Sequence, residues 1–248
     1  MPIDNFLMRS PQDIDNTIVV GGLTPLTTID YPGELAAVIF MQGCPWSCGY
    51  CQNTDLLPRK NENNIPWSYV LALLEKRKGL LDAVVFSGGE PTLQSGLESA
   101  IQQVKAMGFK IGLHTAGIYP DRLKQVLPLT DWVGLDMKSA KADYEKITGV
   151  KDSGEKAWKS ARAIIDSGVT YEFRTTVHPD MLDKQQLSTL VNELTDLGAE
   201  NYVIQHCVTT SCLDESKRVV TSPKLELAVV NQFRDKFSSF EIRNFSSS

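Results

Sequence analysis

The chain predicts an α/β fold around a parallel sheet, and three observations carry that expectation. Apolar runs of strand length alternate with segments apolar at helical spacing, about six times over. Gly108, Gly168 and Gly198 stop helical segments. Nearly every strand ends on a polar or metal-binding residue, where α/β folds place their ligands. Repeated strand–helix alternation implies right-handed parallel crossovers. Six βα units are too few to close an eightfold barrel, so an open, partial (β/α)6 barrel of parallel strands or a doubly wound sheet is expected.

Taken in order, residues 1–20 are polar and irregular and are expected to form a loose arm. Residues 21–33, GGLTPLTTIDYPG, are rich in turn formers and are expected to be a loop against the body. Residues 35–41, LAAVIFM, are continuously apolar, as in a strand buried on both faces. Residues 66–78 are apolar at helical spacing, with Pro66 suited to a first turn. A strand over 83–86 runs into Ser87-Gly88-Gly89-Glu90-Pro91. Ser95 and Glu98 form a capping-box pair for a helix reaching about Met107.

A strand over 110–113 leads to His114-Thr115-Ala116-Gly117, and a short helix spans 121–127. The strand over 132–137 carries Asp136 and precedes Lys138. A helix over 155–167 is followed by a strand over 170–177 that carries Arg174. A helix over 183–197 precedes a strand over 201–205, which leads into His206 and Cys207. After a polar loop come a helix over 223–236 and a short strand over 240–243. No linker interrupts the alternation, so residues 21–248 are expected to form one domain whose last part, 223–248, is that helix and strand.

Composition narrows the function class. The chain has 248 residues, 42% of them hydrophobic, and a net charge of −5. That balance does not suggest a nucleic-acid groove. No run of about 18 apolar residues suggests a membrane span, and residues 1–16 lack the pattern of a secretory signal. Five cysteines, mostly clustered, do not resemble a disulfide framework; free thiols fit a reducing cytoplasm.

The cysteine cluster carries the chemistry. Met41 to Asn53 reads MQGCPWSCGYCQN and holds Cys44, Cys48 and Cys51. A closed zinc site takes four ligands, whereas three thiolates suffice for three corners of a cubane iron–sulfur cluster and leave one iron open. Gly43 and Gly49 help such a loop wrap a cube. Read alone, the segment is also compatible with a zinc knuckle, and residues 87–91 with a tight strand-to-helix turn. Cys207 and Cys212 read as isolated thiols, and His178, before Pro179, as exposed.

Together, the C-x3-C-x2-C loop with Tyr50 before its last cysteine and the SGGEP segment after the next strand resemble the radical S-adenosylmethionine (SAM) enzymes. Over roughly residues 20–210, the stretches GGLTPLTTIDYPGELAAVIFMQGC, GGEPTLQ, DMK and EFRTTV are most similar to activating enzymes of glycyl-radical enzymes, in particular those acting on anaerobic ribonucleoside-triphosphate reductase.

That resemblance implies a [4Fe–4S] cluster on Cys44, Cys48 and Cys51, whose open iron chelates SAM. Reduction then releases a 5′-deoxyadenosyl radical that takes a hydrogen atom from a glycine Cα of the partner. The catalytic groups are then the cluster and SAM alone. The resemblance further implies SAM contacts from Gly88, Gly89, Glu90, Asp136 and Lys138, while Tyr50, Thr115 and Arg174 are candidates by their place in the cysteine loop and along or after the strands. His206 is a candidate by position. An external donor such as flavodoxin is implied, since no second cluster is evident. His114 departs from the family's usual Asp-Thr-Asn-Gly-like segment, and no metal role is expected for it. The alternatives are an activator of pyruvate formate-lyase, another small radical SAM enzyme such as one of deazapurine biosynthesis, or a non-enzymatic zinc or electron-transfer module.

Overall fold

The apolar runs become strands because alternate side chains find two different surroundings. In a computed structural model, described over residues 17–60, 62–178, 180–218 and 232–243, eight strands lie side by side in chain order. They are β1 (Val20–Thr27), β2 (Ala36–Met41), β3 (Ala83–Gly88), β4 (Lys110–Thr115), β5 (Trp132–Asp136), β6 (Thr170–Val177), β7 (Asn201–His206) and β8 (Ser239–Arg243). Pairing from β2 to β8 is parallel, and β1 pairs antiparallel to β2.

The helices are α1 (Trp67–Glu75), α2 (Leu97–Ala106), α3 (Pro120–Val126), α4 (Tyr144–Thr148), α5 (Ser153–Ser167) and α6 (Lys184–Asp196). Their buried residues recur at three- and four-residue steps, as in Leu97, Ala100, Ile101 and Val104 of α2 or Leu187, Leu190, Val191 and Leu194 of α6. These stripes cover one face of the sheet, against Ala37, Ile39, Val84, Phe86, Ile111, Leu113, Val133, Leu135 and Phe173.

Strand side chains alternate between faces. The other parity therefore belongs to the inner face: Ala36 and Val38, Ala83 and Val85, Gly112, Trp132. Tyr31 reaches in from the β1–β2 connection and packs on Trp132, ring centroids 5.3 Å apart. Farther along the same strands the inner parity reaches Phe40, Ser87, His114, Asp136, Arg174 and Gln205, which line a cavity. Deeper, Glu172 on β6 takes both oxygens to Arg243 on β8 at 2.8 Å, bridging the inner face across β7. No helix among the described residues is long and apolar enough to cross a membrane.

Three local expectations change. Residues 21–33 are not all loop: β1 takes up residues 20–27. It is an edge strand with two register irregularities, so its glycines and Pro25 are tolerated. The helix after the second parallel strand starts at Gly96 with no side-chain cap, so Ser95 and Glu98 form no capping box. The box in the structure is at α6, where Asp183 and Gln186 bond each other's backbone N–H. His178 is fully buried rather than exposed. Its Nε2 donates to the Lys217 carbonyl at 2.8 Å, and its Nδ1 accepts from the Asp180 N–H at 3.2 Å. Residues 1–16 of the expected arm and 223–231 of the expected last helix lie outside the described residues, whereas the last strand is present as β8.

Candidate active site

The cysteine loop leaves the end of β2 and is tied down by backbone bonds. Gly43 N–H donates to Leu56 O at 2.7 Å, Cys44 N–H to Leu57 O at 3.1 Å and Cys51 N–H to Cys48 O at 2.9 Å. The end of β3 locks onto it, with Gly89 N–H donating to Met41 O and Glu90 N–H to Gly43 O, both at 2.9 Å. This approach explains two glycines. Gly88 has a φ of 111°, and a Cβ there would meet Met41 O at 2.6 Å; a Cβ on Gly89 would meet the Gly43 carbonyl carbon at 2.7 Å and Leu56 O at 2.9 Å. Backbone packs on backbone, which a side chain prevents.

Cys44, Cys48 and Cys51 are free thiols lining one cavity of about 360 Å³, within the usual range for small-molecule sites. Burial pushes the Cys44 thiol up to about 12, and burial also raises Cys48. Both must therefore shed protons to become ligands. Three soft, adjacent, deprotonatable donors around an open cavity fit the corners of an iron–sulfur cluster.

The opposite wall is charged. Asp136 and Arg174 are register partners on β5 and β6, with Arg174 Nη2 3.2 Å from Asp136 Oδ1. Lys138 Nζ lies 3.7 Å from Asp136 Oδ2 and 5.6 Å from the Tyr50 ring centroid, a cation–π contact. Burial alone would raise the Asp136 carboxyl, but Arg174 and Lys138 outweigh it and hold the group low. Burial alone would lower Lys138, but Tyr50, Cys48 and Asp136 outweigh it, so it stays a cation. Arg174 Nε is buried without a hydrogen-bond partner and lies beside the cavity. It lies 3.8 Å from Glu172 Oε1 and so faces that carboxylate.

His114 donates Nε2–H to the Asp30 carbonyl at 2.8 Å, leaving Nδ1 to accept from Ser87 Oγ at 3.4 Å. Burial and then Arg174, with Nη1 3.5 Å away, push its pKa down to about 3. The bond to the Asp30 carbonyl fixes the orientation of this neutral imidazole in the cavity wall.

Of the residues singled out in the sequence, Tyr50, Gly88, Gly89, Thr115, Asp136, Lys138, Arg174 and His206 line the same cavity as the three cysteines. Glu90 does not. It is fully buried; Oε1 accepts from Thr92 N at 3.0 Å, Thr92 Oγ1 at 2.5 Å and Thr115 Oγ1 at 2.7 Å, and Oε2 from Ala116 N at 2.9 Å. These donors saturate it, so Glu90 pins the β3 turn to the end of β4 instead of facing a ligand.

The cavity also takes in Asp30, Phe40, Ser87 and Thr176, which were not singled out. Strand parity gives Phe40, Ser87 and Thr176, each an even number of residues from a neighbour on the inner face. Asp30 had no local signal, because it arrives from a loop that folds back inside the sheet. Cys207 and Cys212 are buried with sulfurs 3.9 Å apart, so they are not isolated from each other.

Comparison with known proteins agrees with this geometry. The Radical SAM superfamily model matches residues 38–191. The chain is 29% identical over 226 residues to "Putative glycyl-radical enzyme activating enzyme MJ1227" of Methanocaldococcus jannaschii, covering 83% of this chain and 87% of that one. It is 31% identical over 172 residues to the pyruvate formate-lyase-activating enzyme of Clostridium pasteurianum, covering 66% and 71%. The fold is similar to that of Streptococcus suis SuiB bound to precursor peptide SuiA, with a TM-score of 0.63 and 15% identity; the match covers 83% of this chain and about half, 48%, of that one. Three thiols at the end of the first parallel strand, a glycine turn locked beneath them and a family match over most of the sheet lead to one conclusion: the chain belongs to the radical SAM superfamily, enzymes that work with a [4Fe–4S] cluster and S-adenosylmethionine.

Proposed function

We propose that this chain generates a glycyl radical on a partner enzyme, and that the partner is anaerobic ribonucleoside-triphosphate reductase. The observation that carries the proposal is the meeting, in one cavity, of three free cysteines with Lys138, Asp136 and Arg174. The relatives named as activators support a polypeptide substrate. When bound, the cluster and SAM would supply a 5′-deoxyadenosyl radical able to take a hydrogen atom from a glycine Cα.

The chain's own residues bind, orient and exclude water. Cys44, Cys48 and Cys51 would hold the cluster. Lys138 is a fixed cation for the carboxylate of SAM, and Tyr50 covers its ammonium group. Asp136, already oriented by Arg174, offers its other oxygen to a ribose hydroxyl. Gly88 and Gly89 line the cavity with backbone alone. His206, also on the rim, is a further contact for SAM.

The reductase as partner is favoured by the stretch over residues 23–33, which resembles the corresponding part of reductase activators. That stretch supplies part of β1, and through Asp30 it forms part of the cavity wall, where it would touch what enters. The thiols would keep their ligand role in a reducing cytoplasm. The test mixes anaerobically reconstituted protein, SAM and reductant with anaerobic ribonucleotide reductase or, separately, pyruvate formate-lyase. A glycyl doublet in the electron paramagnetic resonance spectrum of the reductase is expected. A signal in pyruvate formate-lyase alone contradicts the choice of partner.

A further inference from the structure

A file of aromatic rings joins the cysteine loop to the outer surface, and nothing in the site described above uses it. Trp46, between Cys44 and Cys48, is 2% exposed and belongs to the buried group that packs with all three cysteines. Its ring meets Tyr144 of α4 edge-on, centroids 5.8 Å apart at 70°. Tyr144 in turn meets Trp158 of α5, 5.7 Å away at 88°. Tyr144 is held by its hydroxyl, which donates to Asp136 O and accepts from Lys138 N–H, both at 3.1 Å. Trp158 is partly exposed and lines a second cavity, of about 340 Å³, on the outer side between α3 and α5.

The rim of that groove carries one more cation than carboxylates. Lys124, Lys141, Lys159 and Arg162 stand against Asp121, Glu155 and Asp166. Lys141 is paired to Glu155 at 2.9 Å, and Arg162 lies 3.9 Å from Asp166. Lys124 and Lys159 are exposed and make no ion pair among the described residues. The wider stretch over residues 139–162 holds six cations and four carboxylates in a chain of net charge −5. This local excess of cations in an acidic chain favours an acidic partner at the groove. Exposed charges add little stability individually, but they steer encounter and fix orientation.

We propose that the groove around Trp158 docks a small acidic one-electron carrier protein, and that Trp46, Tyr144 and Trp158 form the route by which its electron reaches the cluster. The donor loses one electron and the cluster gains it. No ring changes oxidation state, because the electron tunnels and the contacts between rings only shorten the gaps. The redox half of this inference rests on the cluster-binding function proposed above, whereas the docking half does not.

The test uses flavodoxin as probe and four forms of the protein: wild type, Lys124→Glu with Lys159→Glu, Trp158→Leu and Trp158→Phe. Binding of oxidised flavodoxin to cluster-free protein is measured by calorimetry at low salt. Reduction of the reconstituted cluster by flavodoxin hydroquinone is followed by stopped flow, and photoreduction by uncharged 5-deazariboflavin serves as the control. The charge reversals are expected to weaken binding by about tenfold and to slow second-order reduction to match, with photoreduction unchanged. Trp158→Leu is expected to bind as wild type yet slow electron transfer within the complex, and Trp158→Phe to restore most of the rate.

Wild-type binding too weak to detect, or charge reversals that leave binding and rate within about twofold, would overturn the docking site. A Trp158→Leu rate equal to wild type would overturn the route. If the charge reversals instead abolish glycyl-radical formation under photoreduction, the groove belongs to the glycyl-radical enzyme, and the proposal fails. A wild-type protein that assembles no cluster defeats the proposed function and leaves the binding arm to be read alone.

Discussion

Gly89→Ala tests how the two ligand loops are held together. The added Cβ would sit 2.7 Å from the Gly43 carbonyl carbon and 2.9 Å from Leu56 O, and closer still to Gly43 O. All three atoms are backbone, so no side chain can swing aside. Overpacking of this kind costs about 1–3 kcal/mol. Relief by moving the cysteine loop breaks Glu90 N–H to Gly43 O, and strains Gly43 N–H to Leu56 O, at about 1 kcal/mol each. The sum, about 3–5 kcal/mol, is a large part of the roughly 5–15 kcal/mol that holds a domain folded. Gly22→Ala is the control, since its Cβ would meet the Phe40 ring at 3.5 Å, an ordinary contact. The assay is denaturant unfolding of cluster-free protein, with iron per chain after anaerobic reconstitution. Gly89→Ala is expected to lower the midpoint and lose most of the iron, while Gly22→Ala does neither. Equal midpoints and equal iron in the two variants would refute the account of the interlocked loops.

Other outcomes follow from the same structure. Glu90→Gln puts an amide among four donors, and is expected to destabilise the fold by about 1–3 kcal/mol in thermal unfolding while leaving SAM affinity in any folded fraction within about threefold. His114 ionises at about 3 in the fold against 6.5 in the unfolded chain. The unfolded chain therefore binds more protons between those values, and stability falls as pH drops through that window, by at most about 1.4 kcal/mol per unit. Because the ring is only partly enclosed at the cavity wall, solvent reduces that slope; His114→Gln should flatten it in acid denaturation curves. Raised Cys44 and Cys48 thiols mean that cluster assembly releases protons, so iron loading should fall as pH is lowered through the neutral range. Lys138→Met removes the cation facing Tyr50 and the cysteines, and is expected to weaken SAM binding by tenfold or more, about 1.4 kcal/mol, in equilibrium dialysis against the reconstituted protein.

Much of this was legible in the chain. The strands were readable because apolar runs in a parallel sheet are buried on both faces, and the rim residues were readable because ligands gather at strand ends. What stayed hidden shares a cause: it depends on partners distant in sequence. Residues 20–27 look like a turn, yet an edge strand needs only half of its backbone groups paired and tolerates Gly and Pro. Glu90 reads as a ligand because the residues that saturate it include Thr115 and Ala116, one strand later. His178 looks exposed until Lys217, 39 residues on, supplies its acceptor. Ser95 and Glu98 carry the capping pattern, but the turn pinned by Glu90 gives the N-cap to Gly96.

The most direct measurement is 5′-deoxyadenosine production. Protein purified without oxygen and loaded with iron and sulfide is given SAM and dithionite, and the products are separated by chromatography. The account expects 5′-deoxyadenosine and methionine in equal amounts, and neither from Cys48→Ala. A fully loaded cluster that yields no 5′-deoxyadenosine would contradict it.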